Sequence, residues 1–528
     1  MNPSPASLFP RYLQESPEGK TKICGVVCES TPEAARQALQ RSLPWLDCAE
    51  LRLDYLQELN SDIVQNLIKQ APVPLIATLR PVRHGGFFQG DEAERFRLLQ
   101  QAHLSGAVAI DLEEDTGDDI LQDFHEAGAT VILSYHNYDE TPDEIARVYH
   151  QLRQRKTVLV KIATLVQNLK DLIRLHSLGS IPGPKIVTGM GECGQCTRIL
   201  AARFGSMLSY AVLNQGKPTA PGQLLAQDMV QLYRVHRIQD DTKIYGVLGW
   251  PVSQSLSPLL HNTCFQHHSW DGVYVPLGTP TLDGLRDLGE AIGFYGFSIT
   301  HPHKQKVPDF CDRLQESAQK VGMSNTISIQ DGCWTAYNTD LDGFIFPLEK
   351  RCNLKGLKVV VYGSGGAASA VVCALRSHGA RVTIISIEPE TGQNLAIRFN
   401  AEYQLPETVY QGCPDIVVNA TPLGMQPHLE KSPCDLRQLI GMERAGGVMV
   451  YDLVYNPPQT PLLQQAEEMG CQVVYGFEMF IGQAARQFYL WTGKEMPKDV
   501  AYQVVTHALH TKSSETTQVT EVQKVRNV

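Results

Sequence analysis

The chain has 528 residues, 43% of them hydrophobic and 19% charged, and 46 basic against 56 acidic residues leave a formal net charge of −10. Such a length suggests three or four domains, the apolar content excludes a wholly disordered chain, and the acidic balance argues against nucleic-acid or anionic-membrane partners. No apolar run approaches the ~20 residues of a membrane-spanning helix, and 13 scattered cysteines do not form a disulfide framework.

In chain order, residues 1–20 are rich in Pro and Ser and are expected to be flexible. They carry neither a charged leader ahead of an apolar stretch nor an Arg-rich presequence, so a reducing cytoplasm is the expected compartment. From 21 to 238, eight short apolar runs alternate with stretches of helical periodicity: TKICGVV from Thr21, CAELRLDYL from Cys48, PLIATLR from Pro74, VAIDLE from Val108, TVILSYH from Thr130, TVLVKIA from Thr157, KIVTGM from Lys185 and LSYAVL from Leu208. That alternation predicts a (β/α)8 barrel, whose chemistry sits at the C-terminal ends of its strands. Polar residues collect there: Glu50, Arg52, Arg80, Glu113, His136 and Lys161.

Lys161 is a charged residue inside a nearly continuous apolar strand. Either it snorkels from a strand end, or burial lowers its pKa and frees an amine to attack a carbonyl. His136, at the end of the preceding strand, is placed to be its acid/base partner. The pair Cys193–Cys196 lacks a second pair at metal spacing, and His301 and His303 have no carboxylate or cysteine beside them, so no metal site is expected.

A second α/β region follows the polar segment HRIQDDTK, where few buried contacts are expected around Gln239. Its first part, 243–345, carries SQSLSP with Ser255 and Ser257, THPHK with Thr300 and Lys304, SNT with Asn325 and YNTD with Asp340. The next part, 350–478, opens with KVVVYGSGGAASAVVCALRSHG, in which a strand meets a Gly-rich turn (Gly363, Ser364, Gly365, Gly366, Ala367) and a helix. A helix N-terminus beside bare backbone accepts a pyrophosphate, so this part reads as a Rossmann dinucleotide lobe. Residues 479–510 are expected to be helical and to pack back on this region, with 511–528 a disordered tail.

These motifs carry two resemblances. ELRLD at Glu50, RPVRHGG at Arg80, SYH at His136, KIAT at Lys161, MGECGQCTR at Met190 and APGQ at Ala220 resemble type I 3-dehydroquinate dehydratase over about 20–230. The resemblance implies an imine between Lys161 and the substrate ketone, with His136 removing the C2 proton and protonating the departing C1 hydroxyl. It also implies that Glu50, Arg52, Arg80, Arg198, Thr219 and Gln223 hold the substrate, arginine forks gripping its carboxylate. His84 stands where that family has a glutamate that orients the catalytic histidine, so the orienting charge is expected to be missing.

The motifs from Ser255 to Asp340, with DLVYNPP at Asp452 and GFEMFIGQA at Gly476, resemble shikimate dehydrogenase over about 243–505. The resemblance implies that Lys304 and Asp340 are catalytic and that Ser255, Ser257, Thr300, Asn325, Tyr455 and Gln483 bind substrate. It also places Gly476, with Ser386 and Glu388, at the cofactor. NADP is the cofactor of that resemblance. NAD is the alternative, because Ser386, Ile387, Glu388 and Thr391 stand where the clamp for the 2′-phosphate belongs, unless Arg398 reaches back. Together the halves resemble the bifunctional dehydratase–dehydrogenase family of plants and some bacteria, catalysing consecutive steps of the shikimate pathway, and a bacterial-type cytoplasmic protein is expected. Two other readings are an NAD-dependent quinate/shikimate dehydrogenase in the second half, and a ligand-sensing homologue without chemistry. Retention of Lys161, His136, Lys304 and Asp340 speaks against the latter. Small molecules are the only partners expected, and the sequence leaves the oligomeric state open.

Overall fold

A computed structural model describes residues 21–155, 159–214, 216, 222–408, 410 and 412–511. Thr219, residues 1–20 and all but the first residue of the expected tail lie outside the described residues.

Eight parallel strands form one sheet in the order β7-β6-β5-β4-β3-β2-β1-β8. They are β1 (Lys22–Val27), β2 (Cys48–Arg52), β3 (Leu75–Thr78), β4 (Ala109–Glu113), β5 (Val131–Asn137), β6 (Leu159–Leu165), β7 (Lys185–Met190) and β8 (Leu208–Val212). The backbone N–H of Met207 donates to the Lys185 carbonyl at 3.0 Å, which draws the approach to β8 against β7 and nearly closes the barrel. A parallel sheet covered by helices is buried on both faces, and every residue of β2, β3, β4, β7 and β8 is buried. Apolar residues from the strand beginnings, among them Cys24, Ile76, Ile132, Leu159, Ile186 and Leu208, fill the lower interior. Glu50, Asp111 and Lys161 each stand third in their strands, two residues beyond Cys48, Ala109 and Leu159 of this apolar layer and on the same face.

Packing divides the chain into two compact units: the described residues up to Gln254 with Asp271–Phe294, and Ser255–Trp270 with Tyr295 onward. In the first unit, β9 (Lys243–Gly249) and β10 (Gly272–Gly278) pair in parallel, and helix Leu285–Ile292 packs on barrel helix Leu169–Ser177. The segment near Gln239 is not the contact-poor boundary that its polarity suggests. Arg203 Nη2 donates to the Asp240 and Thr242 carbonyls at 2.5 and 3.2 Å, and Arg234 Nη2 donates to the Gly272 carbonyl at 2.8 Å. Arg203 from the barrel satisfies part of its backbone, which composition does not reveal.

In the second unit, β11 (Phe294–Ile299) pairs antiparallel with β13 (Thr326–Gln330), which pairs antiparallel with β14 (Cys333–Tyr337); β12 (Arg313–Leu314) joins β14 in parallel. A second sheet, all parallel, runs β17-β16-β15-β18-β19-β20. Its strands are β15 (Lys358–Tyr362), β16 (Arg381–Ile385), β17 (Glu402–Gln404), β18 (Ile416–Asn419), β19 (Met449–Asp452) and β20 (Gln472–Val474). Alternate residues serve opposite faces: Val359, Val361 and Ile384 enter one core, Val360, Tyr362 and Ile385 the other. Strand order reverses at β15, the topological switch point at which such folds bind dinucleotides. The C-terminal region forms helix Gly476–Thr492 and a further helix over 498–511. The former packs on helices Asp340–Ile345 and Ser257–His267, and its Trp491 donates to the Ile327 carbonyl at 3.0 Å.

Candidate active sites

At the upper end of the barrel, Lys161 Nζ donates to Asp111 Oδ2 at 3.2 Å and lies 3.6 Å from Glu50 Oε1, with Tyr210's ring centroid at 4.4 Å. Burial alone would lower the Lys161 pKa, but Asp111 and Glu50 outweigh it and hold the ammonium above its ordinary range. The resting lysine is therefore not the depressed amine that its apolar strand suggests. Burial pulls the other way on Glu50, yet Lys161, Arg80 and Arg52 keep this carboxyl at about 2, and Thr78 donates to it at 2.8 Å.

His136 Nδ1 lies 3.1 Å from Glu113 Oε2. A carboxylate only accepts, so Nδ1 carries the proton and Nε2 is the free base nitrogen. Burial and the Arg80 guanidinium push the imidazole down to about 3. Glu113, despite its burial, is held below the usual carboxylate range by His136 and Arg80, the latter donating to it at 2.9 Å. This corrects the expectation raised by His84. The orienting carboxylate is present, and it comes from β4. His84 does not bond His136: its Nδ1 is 4.0 Å from Glu113 Oε2 and its Nε2 3.0 Å from Asp115 Oδ2. Ligand atoms of His84, Glu113 and Glu114 gather within 4.8 Å of one another, but Arg80 already supplies positive charge to Glu113, which disfavours a cation there.

The three arginines differ. Arg52 fills its fork with Asp54, at 2.9 and 2.7 Å, and Arg80 faces Glu113 and Asp111. Arg198 is buried, donates to the Tyr210 carbonyl at 3.3 Å, has no bonding partner for Nε, and is lowered to about 10 by desolvation. Arg52 is thus paired with Asp54, while Arg80 Nη2, 3.6 Å from Asp111 Oδ1, and Arg198 Nε are buried donors without a hydrogen-bond partner. Gln223 follows the positive-φ Gly222. Cys193 and Cys196 are buried thiols, each pushed up to about 12 by desolvation. Asp111 escaped the sequence reading, although its signal was there: in AIDLE, Asp111 and Glu113 are two residues apart and so share one face of β4.

In the second unit, Lys304 Nζ donates to Asp340 Oδ2 at 2.7 Å, and Asn325 Nδ2 donates to Asp340 Oδ1 at 2.8 Å. Asn325 is itself fixed by the Thr339 N–H at 2.7 Å, so β13 and the first turn of helix Asp340–Ile345 are locked together. Thr300 follows β11, and Ser257 opens helix Ser257–His267, its N–H bonded to Ser255 Oγ at 3.2 Å. Tyr455 lies just beyond β19, stacked on Phe480 with centroids 5.1 Å apart, and Gln483 donates to the Phe480 carbonyl at 3.0 Å. Asp452, bonded by the Val454 N–H at 2.9 Å, holds the turn leading to Tyr455.

Beyond β15, Gly363 has φ +112°, and a Cβ there would lie 2.8 Å from the Ala420 carbonyl oxygen, so the turn requires glycine. Gly365 caps helix Gly366–Ser377, which has no side-chain cap and no acid in its first turn, and the space where a Gly365 Cβ would point is open. Uncapped N–H groups beside open space fit a pyrophosphate. Ser364 and Ser386 hydroxyls are 2.8 Å apart. Glu388 receives a bond from Thr391 Oγ1 at 2.9 Å, and Ile387 is exposed. Arg398 does not reach back: its Nη2 donates to the Lys320 carbonyl at 2.8 Å. Gly476 packs under the Leu453 and Val454 carbonyls, where a Cβ would lie 2.6 and 2.4 Å from oxygen.

A barrel presenting a buried lysine beside a neutral histidine, followed by a Rossmann lobe and a Lys–Asp pair, defines an amine-dependent lyase joined to a nicotinamide-dependent dehydrogenase. Three family models match: type I 3-dehydroquinase over residues 23–240, the shikimate dehydrogenase substrate binding domain over 247–327, and the shikimate 5′-dehydrogenase C-terminal domain over 476–506. The chloroplastic bifunctional 3-dehydroquinate dehydratase/shikimate dehydrogenase of Arabidopsis thaliana is 34% identical over 486 residues, covering 87% of this chain and 80% of its own. A shikimate dehydrogenase (NADP(+)) of Caldanaerobacter subterraneus is 35% identical, covering 51% of this chain and 98% of its own. A crystal structure of a shikimate dehydrogenase with NADP+ superposes with a TM-score of 0.48 at 31% identity, over 52% of this chain and 97% of that one. The chain belongs to the bifunctional 3-dehydroquinate dehydratase/shikimate dehydrogenase family, and it acts in the shikimate pathway as lyase and oxidoreductase.

Proposed function

We propose that Lys161 forms the imine with 3-dehydroquinate and that His136 shuttles the proton from C2 to the departing C1 hydroxyl. The observation that carries this reading is the pairing of a doubly ion-paired, buried lysine with an imidazole pushed down to about 3, whose Nε2 is free. A base that stays neutral through the physiological range is ready to take a proton once the imine has acidified C2. Arg198 takes the substrate carboxylate, and Glu50, Arg52, Arg80 and Gln223 surround the ring.

In the second unit, Lys304 and Asp340 act on the ketone of 3-dehydroshikimate. A bound nicotinamide dinucleotide, held at Gly363–Ala367 with Ser386 and Glu388 at its ribose, supplies the hydride. Lys304, oriented by Asp340, faces the oxygen that gains charge and gives it a proton. Ser255, Ser257, Thr300, Asn325, Tyr455 and Gln483 hold the carboxylate and ring hydroxyls. The lobe accepts NAD(H) at least as readily as NADP(H), because Glu388 rather than an arginine follows β16 and Arg398 is turned away. All 13 cysteines are free thiols, which fits a reducing cytoplasm. No described helix is long and apolar enough to cross a membrane, and small molecules suffice as partners.

Borohydride added with 3-dehydroquinate should fix one adduct, which peptide mapping places on Lys161. An adduct on another lysine, or none in an active preparation, refutes the assignment.

A further inference from the structure

The ion pairs around Lys161 raise a chemical problem. An ammonium has no lone pair, so the resting lysine must lose a proton before it attacks a ketone. Four carboxylates (Glu50, Asp54, Asp111, Glu113) face three cations (Arg52, Arg80, Lys161) in this buried cluster, with Asp54 committed to Arg52, while His136 is neutral. One of those carboxylates is therefore the cheapest place to store a proton.

The candidates are unequal. Glu113 is committed to His136 Nδ1 and Arg80. Glu50 accepts from Thr78, lies 3.6 Å from Nζ rather than within direct bonding distance, and is a weak base at about 2. Asp111 is in direct hydrogen bond with Nζ at 3.2 Å and is oriented by the Ser134 hydroxyl at 2.8 Å. Its side chain is fully buried, Arg80 stands off at 3.6 Å, and its Oδ1 has no hydrogen-bond partner. Burial raises this carboxyl above its ordinary value despite its cationic neighbours.

We propose that Asp111 is the proton acceptor that activates Lys161, an inference that rests on Lys161 being the imine-forming lysine. Asp111 Oδ2 takes one of the three ammonium protons, and the neutral amine bonds to the ketone carbon while the carbonyl π pair moves to oxygen. That oxygen leaves as water with two of the three original protons, one of them returned by Asp111. The third proton stays on the iminium nitrogen, so the positive charge on that nitrogen is the same before and after.

The test is rapid-quench borohydride trapping with 3-dehydroquinate in the full-length protein. Wild type must first show the adduct on Lys161; its absence refutes the underlying assignment rather than the role of Asp111. Asp111→Asn keeps the shape and an acceptor for Ser134 but removes the base. It is expected to slow trapping by about a hundredfold, the usual scale of a positioned acid–base group. If Asp111 is only a counter-charge, the same variant lowers the lysine pKa and trapping is unchanged or faster, which overturns the proposal. Should Asp111→Asn lose its secondary structure by circular dichroism, Asp111→Ala is assayed with added formate. Restoration of trapping by the small carboxylate supports the proposal, and failure of formate to restore it in folded Asp111→Ala contradicts it.

Discussion

His136 and Glu113 show how much the barrel chemistry depends on where single charges stand. Because His136 is held at about 3 by burial and Arg80, in the folded protein it takes up a proton only far below the pH at which an unfolded histidine does. Its contribution to stability is therefore present above about pH 6.5 and is lost as the pH falls toward the folded value. Dehydratase kcat/KM in the free enzyme should accordingly show no histidine titration between pH 6 and 7. A bell with an acid limb near 6.5 would contradict the geometry. Glu113→Gln removes the negative charge that faces His136 Nδ1 and Arg80 and is expected to lower kcat by about a hundredfold, on the scale of mis-set acid–base groups. His84→Ala leaves that charge in place and should stay within a few-fold of wild type by the same reasoning. The reverse ranking would return the orienting role to position 84. The sequence made His136, Lys161 and Arg198 legible, because each stands in a recognisable short motif. It hid the roles of Glu113 and Asp111, since which carboxylate meets which base depends on the register between β4, β5 and β6.

At the level of elements, the eight apolar runs became the eight barrel strands because burial on both faces leaves little else for such a strand to be. The helix start after β15 was equally readable from its glycines. Side-chain direction was not: Arg398 lies in helix Pro389–Phe399 close to the end of β16 in sequence, yet it turns to the Lys320 carbonyl. That orientation bears on cofactor choice. With Glu388 proposed at the ribose and Arg398 turned to the Lys320 carbonyl, kcat/KM with NADH should equal or exceed that with NADPH. Ile387→Arg/Glu388→Thr should shift the ratio toward NADPH by about 1.5–3 kcal/mol, the value of hydrogen bonds to a charged group, which is roughly ten- to hundredfold. A wild type that favours NADPH a hundredfold would refute the assignment.

For the whole molecule, the two activities lie in one chain, but the packing does not divide where the motifs do. β9, β10 and helix Leu285–Ile292 cluster with the barrel, and Glu192 Oε1 accepts the Val252 and Ser253 N–H groups at 2.6 and 3.0 Å. Residues 1–239 retain all eight barrel strands and should still dehydrate 3-dehydroquinate. Residues 240–528 lose the surface on which helix Leu285–Ile292 packs and should be less stable than the same region in the intact chain, with a lower midpoint in urea. An unchanged midpoint would mean that those contacts contribute nothing. The most direct test of the central claim follows enone absorbance and nicotinamide oxidation together, in wild type and in Lys161→Ala. Wild type given 3-dehydroquinate should form the enone and then oxidise the nicotinamide as shikimate accumulates. Lys161→Ala should do neither from 3-dehydroquinate, yet reduce added 3-dehydroshikimate at the wild-type rate. Nicotinamide oxidation by Lys161→Ala starting from 3-dehydroquinate would contradict the assignment of the two chemistries to these two sites.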